Sequence, residues 1–163
     1  MDKFLAALAV YGDRRILTVV LLGFSSGLPL ALTGATLALW LAEAQVSLAT
    51  IGYFSLVGTP YIFKFAWAPL IDQVRLPLLT RLFGRRRAWM LTTQALLIVA
   101  LLALGMNDPA ARPELTALLA VVVAFCSASQ DIVIDAYRVE ILDARQNGAG
   151  AAAVQTGYRI AMR

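Results

Sequence analysis

Histidine is absent from this chain of 163 residues, cysteine occurs once, and only 15% of the residues carry charge. Without imidazole there can be no histidine metal ligand and no histidine proton relay. A single thiol, Cys126, leaves no partner for an intrachain disulfide, and in an apolar run it reads as a small packing residue. What fills the space is apolar: 60% of the residues are hydrophobic and the mean hydropathy is +0.75. A chain of that composition is dissolved by lipid rather than by water, so it reads as an all-α integral membrane protein.

The apolar residues gather into four long runs, each close to the ~20 residues that a helix rising 1.5 Å per residue needs to cross hydrocarbon. They cover 16–42, 48–71, 88–106 and 115–134, and Lys64 is the one charge inside the second before its end. A fifth run, 148–163, is too short to span and ends without a polar flank, so the chain is expected to stop inside a helix. The stretch from Phe4 to Tyr11 follows Lys3 like the core of a signal peptide. Asp13, Arg14 and Arg15 then stand where small cleavage-site residues would be needed, so a short lead-in helix is expected.

The cations alternate sides. Lys3, Arg14 and Arg15 precede the first run, five arginines (75, 81, 85, 86 and 87) separate the second from the third, and Arg138 and Arg145 follow the fourth. The first connection on the other side carries Glu43, and the second carries Arg112 with Asp108 and Glu114. The positive-inside rule then places the N-terminus and the 75–87 connection in the cytoplasm. Topology accounts for the net charge of +4, which therefore gives no support to a nucleic-acid partner.

Charges inside the runs are costly and seek partners. Lys64 lies as far into the second run as Asp131 lies into the fourth, roughly 24 Å at helical rise. Both runs go from outside to inside, so the two residues should share a layer. Asp72 and Arg138 match in the same way nearer the inner surface. The sequence thus predicts two neighbouring helices joined by Lys64 with Asp131 or Asp135, and by Asp72 with Arg138. Asp131 and Asp135, four apart, share a helical face. Two like charges so placed disfavour simultaneous ionisation, which suits a proton carrier. The same spacing would also suit a divalent metal on a diphosphate, as in membrane transferases, but no third aspartate precedes Asp131 at motif spacing and Arg138 offers neutralisation without metal.

The first run carries Gly23, Ser25, Ser26, Gly27 and Pro29, then Thr33, Gly34 and Thr36. Small residues permit close helix approach, and the Gly27–Pro29 step predicts a kink. The fifth run, GAGAAAVQTGYRIAMR, has a similar texture but adds Gln155, Tyr158 and Arg159. Arg159 would lie about 16 Å deep, where a guanidinium almost always faces a protein-lined cavity and suits a carboxylate or phosphate.

Ala68-Pro69-Leu70-Ile71-Asp72 with Gly84-Arg85-Arg86-Arg87 resembles the signature loop of the major facilitator superfamily. Ala68 stands where the usual pattern has glycine, and extra residues separate Asp72 from Gly84. Three longer stretches, 23–41, 51–72 and 125–142, the last containing SASQDIVIDAYR and followed by GAGAAAVQTGYR, resemble the AmpG-type muropeptide permeases of that superfamily.

The resemblance implies two six-helix halves working by alternating access, of which this chain would be most of the N-terminal half, with the C-terminal half missing. It also implies proton-driven uptake of anhydromuropeptides across the bacterial inner membrane, with no cofactor and no enzymatic step. On that reading Arg159 and Lys64 would hold peptide carboxylates, and Gln155, Tyr158 and Gln130 would bond sugar or peptide groups. Asp131 or Asp135 would be the proton site, and Asp72, Arg85, Arg86, Arg87 and Arg138 would form a gate. Two alternatives stay open: a relative of the acetyl-CoA transporters, which share a similar QDI-x-x-D core, and a metal-dependent membrane transferase using Asp131 and Asp135.

Overall fold

A computed structural model describes residues 10–163; the expected lead-in helix falls mostly outside them, and what is described there is a 3₁₀ turn, Val10–Gly12. No strand occurs among the described residues, in keeping with the all-α expectation. Three helices are long and apolar enough to cross a membrane: α1 over Arg14–Glu43, α6 over Arg85–Gly105 and α7 over Pro113–Ile141. Between α1 and α6 lie α2 (Leu48–Tyr53), α3 (Thr59–Phe63), α4 (Ala68–Gln73) and α5 (Pro77–Phe83). The last helix, α8, covers Asn147–Ala161. The helices fall into two compact units, one of residues up to Leu28 together with Ile134–Arg163, the other of Pro29–Val133.

The segment expected as one continuous span over 48–71 is instead helical in pieces. Phe54–Gly58 and Lys64–Ala66 are 3₁₀ turns set between α2, α3 and α4. Pro60 and Pro69 each sit in the first turn of a helical piece, where the missing N–H costs nothing, so each proline starts a new helix rather than continuing the old one.

The kink in α1 also differs from expectation. The α-helix runs unbroken through Gly27 and Pro29 to Ala31. It gives way one turn later, over Leu32–Thr36, to a π turn in which Gly34 leaves the helical region (φ −96°, ψ −106°). Thr33 helps, because its hydroxyl donates to the Pro29 carbonyl at 2.8 Å, and such back-bonding bends helices. A cavity of about 250 Å³ opens beside the turn, lined by Thr33, Gly34, Phe54 and Ser55 among others.

The unit of Pro29–Val133 packs around Leu37, Leu41, Phe54, Val57, Leu97, Leu104, Val123 and Cys126. A second cluster joins Ile71 to Ile132 and Val133, with Trp67 and Trp89 beside it. The residues separating Asp72 from Gly84 are accommodated by α5. Gly84 then takes a positive φ of 80°, which lets the chain turn directly into α6 and which few other residues tolerate.

In the other unit, α8 lies so close to α1 that side chains are excluded. A Cβ on Gly27 would come within 2.6 Å of the Tyr158 carbonyl oxygen, and one on Gly157 would overlap the Val20 carbonyl and the Phe24 amide. Gly23 thus meets the Val154 backbone and Gly27 that of Tyr158, while Gly157 on α8 meets Val20 and Phe24, in the small-residue pattern of lipid-embedded helices. Ile16, Val19, Leu142 and Ala153 form the core. At the head of α1, Asp13 caps the helix by accepting from the Arg15 amide at 2.9 Å and from Gln146 at 2.9 Å. The backbone bond, then the Gln146 bond, with a smaller contribution from the Arg15 charge, hold the Asp13 carboxyl below its ordinary 3.8.

Gly157→Val should destabilise the detergent-solubilised protein by about 1–3 kcal/mol or more, because the obstacle is backbone rather than a movable side chain. Gly148→Ala, at a position with nothing within 4 Å, should leave the melting temperature unchanged or raise it. Since the Asp13 carboxyl is more acidic folded than unfolded, its contribution is present at neutral pH and fades as pH falls through the ordinary carboxylate range. The melting-temperature gap between the parent protein and Asp13→Ala should therefore be widest near pH 7 and narrow below about pH 4.

Candidate functional site

The polar run of α7 is held where water has little access. Ser127, Ser129 and Gln130 are buried, and the Asp131 side chain is 12% exposed. Ser129 turns its hydroxyl back to the Phe125 carbonyl at 2.8 Å, which satisfies it within its own helix. A carboxylate in this setting needs a cation, and Lys64 supplies one, its ammonium 3.7 Å from the Asp131 carboxylate. The structure therefore brings these two expected partners together.

They do not share a layer, however. Trp67, three residues after Lys64, donates its indole N–H to Ser129 at 3.1 Å and stacks at 4.7 Å on Phe125. Ser129 precedes Asp131 by two residues whereas Lys64 precedes Trp67 by three, so relative to the indole contact the lysine backbone is offset from its carboxylate by about five residues, roughly 7 Å at helical rise. The four-carbon stem of Lys64 covers that difference. Depth counting treated the second segment as straight, and it is not.

Asp72 and Arg138, the other expected pair, lie in different units, and each has a partner within its own. Asp72 meets Arg86, its carboxylate 2.5 Å from the guanidinium, while Arg85 donates to the Asp72 carbonyl at 2.5 Å. Trp89 adds a bond to the Val74 carbonyl at 2.9 Å. Arg138 pairs instead with Asp135, one turn earlier on α7, at 3.8 Å. A residue three places away on the same helix is always within reach, and counting depth across helices overlooks it. Asp131 and Asp135 thus have a cation each, and Asp135 is 54% exposed, which leaves Asp131 as the carboxylate enclosed by protein.

Of the remaining expected residues, Arg87 is exposed, as are Gln155 and Arg159 on α8, whereas Tyr158 is half-buried. No ion pair with Arg87 or Arg159 forms among the described residues. Among the described residues there is also no group of three histidine, cysteine or acidic side chains placed to hold a metal. Trp67 and Ser129 escaped the sequence reading because neither is charged. A signal was present in the chemistry of indole, a donor that cannot accept, three residues from a lysine at membrane depth.

Comparison with known proteins agrees with this picture. The chain is 50% identical over 155 residues, 95% of its length, to the anhydromuropeptide permease of Escherichia coli K12, of which it covers 31%. It is 40% identical over 148 residues, 91% of its length, to an uncharacterized protein of Haemophilus influenzae, of which it covers 34%. It is also 31% identical over 153 residues, 94% of its length, to the putative transporter AmpG 4 of Rickettsia conorii, covering 37% of that protein. The chain thus spans about a third of the length of the curated relatives it matches. A family profile described as Acetyl-coenzyme A transporter 1 matches residues 15–112. With its long apolar helices, the chain is a multi-pass membrane protein that belongs to this acetyl-coenzyme A transporter family and is of the AmpG permease type within the major facilitator superfamily.

Proposed function

We propose that this chain forms part of a permease that carries anhydromuropeptides, the disaccharide–peptide fragments of peptidoglycan, across the bacterial inner membrane for cell-wall recycling. The N-terminus is cytoplasmic, uptake is driven by the proton gradient, and the mechanism is alternating access. The observation that carries this reading is the Lys64–Asp131 pair, set in a chain half identical to an anhydromuropeptide permease. A charge pair enclosed by apolar helices is expensive to keep for packing alone and is the natural place for a proton or an anionic substrate to intervene.

The roles then follow from chemistry. Protonation of Asp131 would release Lys64, and an ammonium so released can take a substrate carboxylate. Asp135, half exposed, is the second carboxylate in reach of protons. Arg159 offers a planar donor fork to peptide carboxylates, and Gln130, Gln155 and Tyr158 offer hydrogen bonds to sugar and peptide groups. Asp72 with Arg85 and Arg86, supported by Arg87, and Arg138 with Asp135 act as latches at the inner surface, where breaking and remaking an ion pair biases one of two states. The C-terminal half of the transporter completes the cavity.

A second reading, transport of acetyl-CoA, has the family profile in its favour. A metal-dependent transferase is less favoured, because the Asp131 carboxylate is matched by an ammonium; magnesium-dependent diphosphate binding would restore it.

Uptake of labelled anhydromuropeptide by cells expressing the complete gene product tests the proposal, with labelled acetyl-CoA as the competing substrate in vesicles. Asp131→Asn and Arg159→Ala should each lower muropeptide uptake by about tenfold or more, the scale of one lost charge-assisted interaction. Normal uptake in both would remove the roles assigned, and acetyl-CoA uptake without muropeptide uptake would install the second reading.

Asp72→Asn should act differently. It removes a latch rather than a binding group, so the maximal rate should fall several-fold while the apparent substrate affinity changes by less than about twofold. Concentration-dependent uptake separates the two effects.

A further inference from the structure

The turn that carries Lys64 is held within its own segment by short-range bonding, the Trp67 amide donating to the Lys64 carbonyl. It is a three-residue 3₁₀ turn, Lys64–Ala66, flanked by Phe63 (φ −91°, ψ 5°) and Trp67 (φ −110°, ψ −1°). Both flanking residues lie in or beside the sparsely allowed bridge region between helix and strand. Helical hydrogen bonds resume after it, with Leu70 and Ile71 both donating to the Trp67 carbonyl. Such a joint can rotate, and the lysine stem beyond it has four further rotatable bonds. Yet the ammonium is found 3.7 Å from one carboxylate.

What fixes the joint is the residue that ends it. The Trp67 indole can only donate, and in an apolar setting it requires an acceptor. Ser129, 6% exposed, accepts at 3.1 Å and passes its own hydrogen to the Phe125 carbonyl at 2.8 Å. The chain of donors therefore runs in one direction, from indole to hydroxyl to backbone. Phe125 also stacks on the indole, ring centres 4.7 Å apart at 36°. Phe125 and Ser129 are one helical turn apart on a single face of α7, so they grip the ring at two points.

This contact and the ion pair cross one another. The earlier residue of the turn, Lys64, reaches the later residue of α7, Asp131, whereas the later residue, Trp67, reaches the earlier ones, Phe125 and Ser129. Two crossed contacts fix rotation as well as height, which neither would do alone. We propose that Trp67 is a positioning residue: clamped by Ser129 and Phe125, it sets the 3₁₀ joint at Lys64–Ala66 so that the lysine meets Asp131. The inference rests on the reading that this pair works in transport, and it adds the element that places the pair.

The test is a double-mutant cycle in the complete gene product, using Trp67→Phe, which keeps a ring but loses the N–H, and Lys64→Gln. Trp67→Phe should cut anhydromuropeptide uptake by about five- to tenfold, the worth of one buried hydrogen bond, and Ser129→Ala should match it. In the Lys64→Gln background Trp67→Phe should change uptake by less than about twofold, because its effect passes through the lysine. Full multiplication of the two losses, or unchanged uptake in Trp67→Phe, would overturn the proposal. The same cycle read as melting temperatures of the purified protein needs no substrate. Should the parent protein fail to carry muropeptides, the transport reading falls, and coupled or additive melting shifts still decide for or against the clamp.

Discussion

Everything in the Pro29–Val133 unit is arranged around the cost of holding a carboxylate, Asp131, among apolar helices. An ionised carboxyl away from water needs a partner within a few ångströms, and leaving it alone costs several kcal/mol. Lys64 meets that need at 3.7 Å, but a lysine in hydrocarbon carries the same liability, so each charge makes the other necessary. The neighbours reflect this. Ser127, Ser129 and Gln130 on α7 are buried, a polar strip that follows the apolar run 117–126, and the second segment gives up a continuous helix at the residue that supplies the cation.

The broken second segment is the counterpart of the pair. Prolines that start new helices at Thr59 and Ala68 leave short 3₁₀ turns between them, and each turn exposes backbone groups that an unbroken helix would satisfy internally. Such breaks survive at membrane depth only where protein supplies the missing partners. Here the Ser55 and Thr59 hydroxyls donate to the Gly52 and Leu56 carbonyls, and α7 holds the second turn by the Trp67 side chain, through Ser129 and Phe125. In α1 the comparable irregularity is a π turn, satisfied by the long bond from the Leu37 amide to the Leu32 carbonyl. Both departures from regular helix thus carry their own compensation.

How much of this the sequence discloses depends on how local the governing term is. Runs of about 20 apolar residues identify α1, α6 and α7 because hydropathy is summed over a whole span and tolerates small errors. The same sum hides the breaks over 48–71, where the residues are as apolar as in a straight helix and Pro60 and Pro69 alone mark the joints. Lys64 and Asp131 could be paired from depth because both are isolated charges with few candidates. Asp72 and Arg138 could not, since each has a nearer partner: Arg86 returns by way of α5 and the Gly84 turn, and Asp135 lies one turn away on α7. Loop geometry of that kind has no period and leaves no trace in hydropathy. The close approach of α8 to α1 was foreshadowed by its glycines, although the kink expected at Gly27–Pro29 lies at Gly34 instead.

The other two ion pairs differ from the Lys64–Asp131 pair in a way that bears on mechanism. Arg86 with Asp72 and Arg138 with Asp135 involve carboxylates about half exposed, 46% and 54%, so water can replace either partner and each pair can part at modest cost. Asp131, at 12%, is reached by less water, so its pair parts at greater cost. Exposed pairs are therefore suited to respond to movement, and the enclosed pair is suited to cause it. On the proposed alternating-access reading both kinds are needed, because a latch that water can open sets no order of events, whereas a pair sensitive to protonation would tie the movement of helices to the movement of protons.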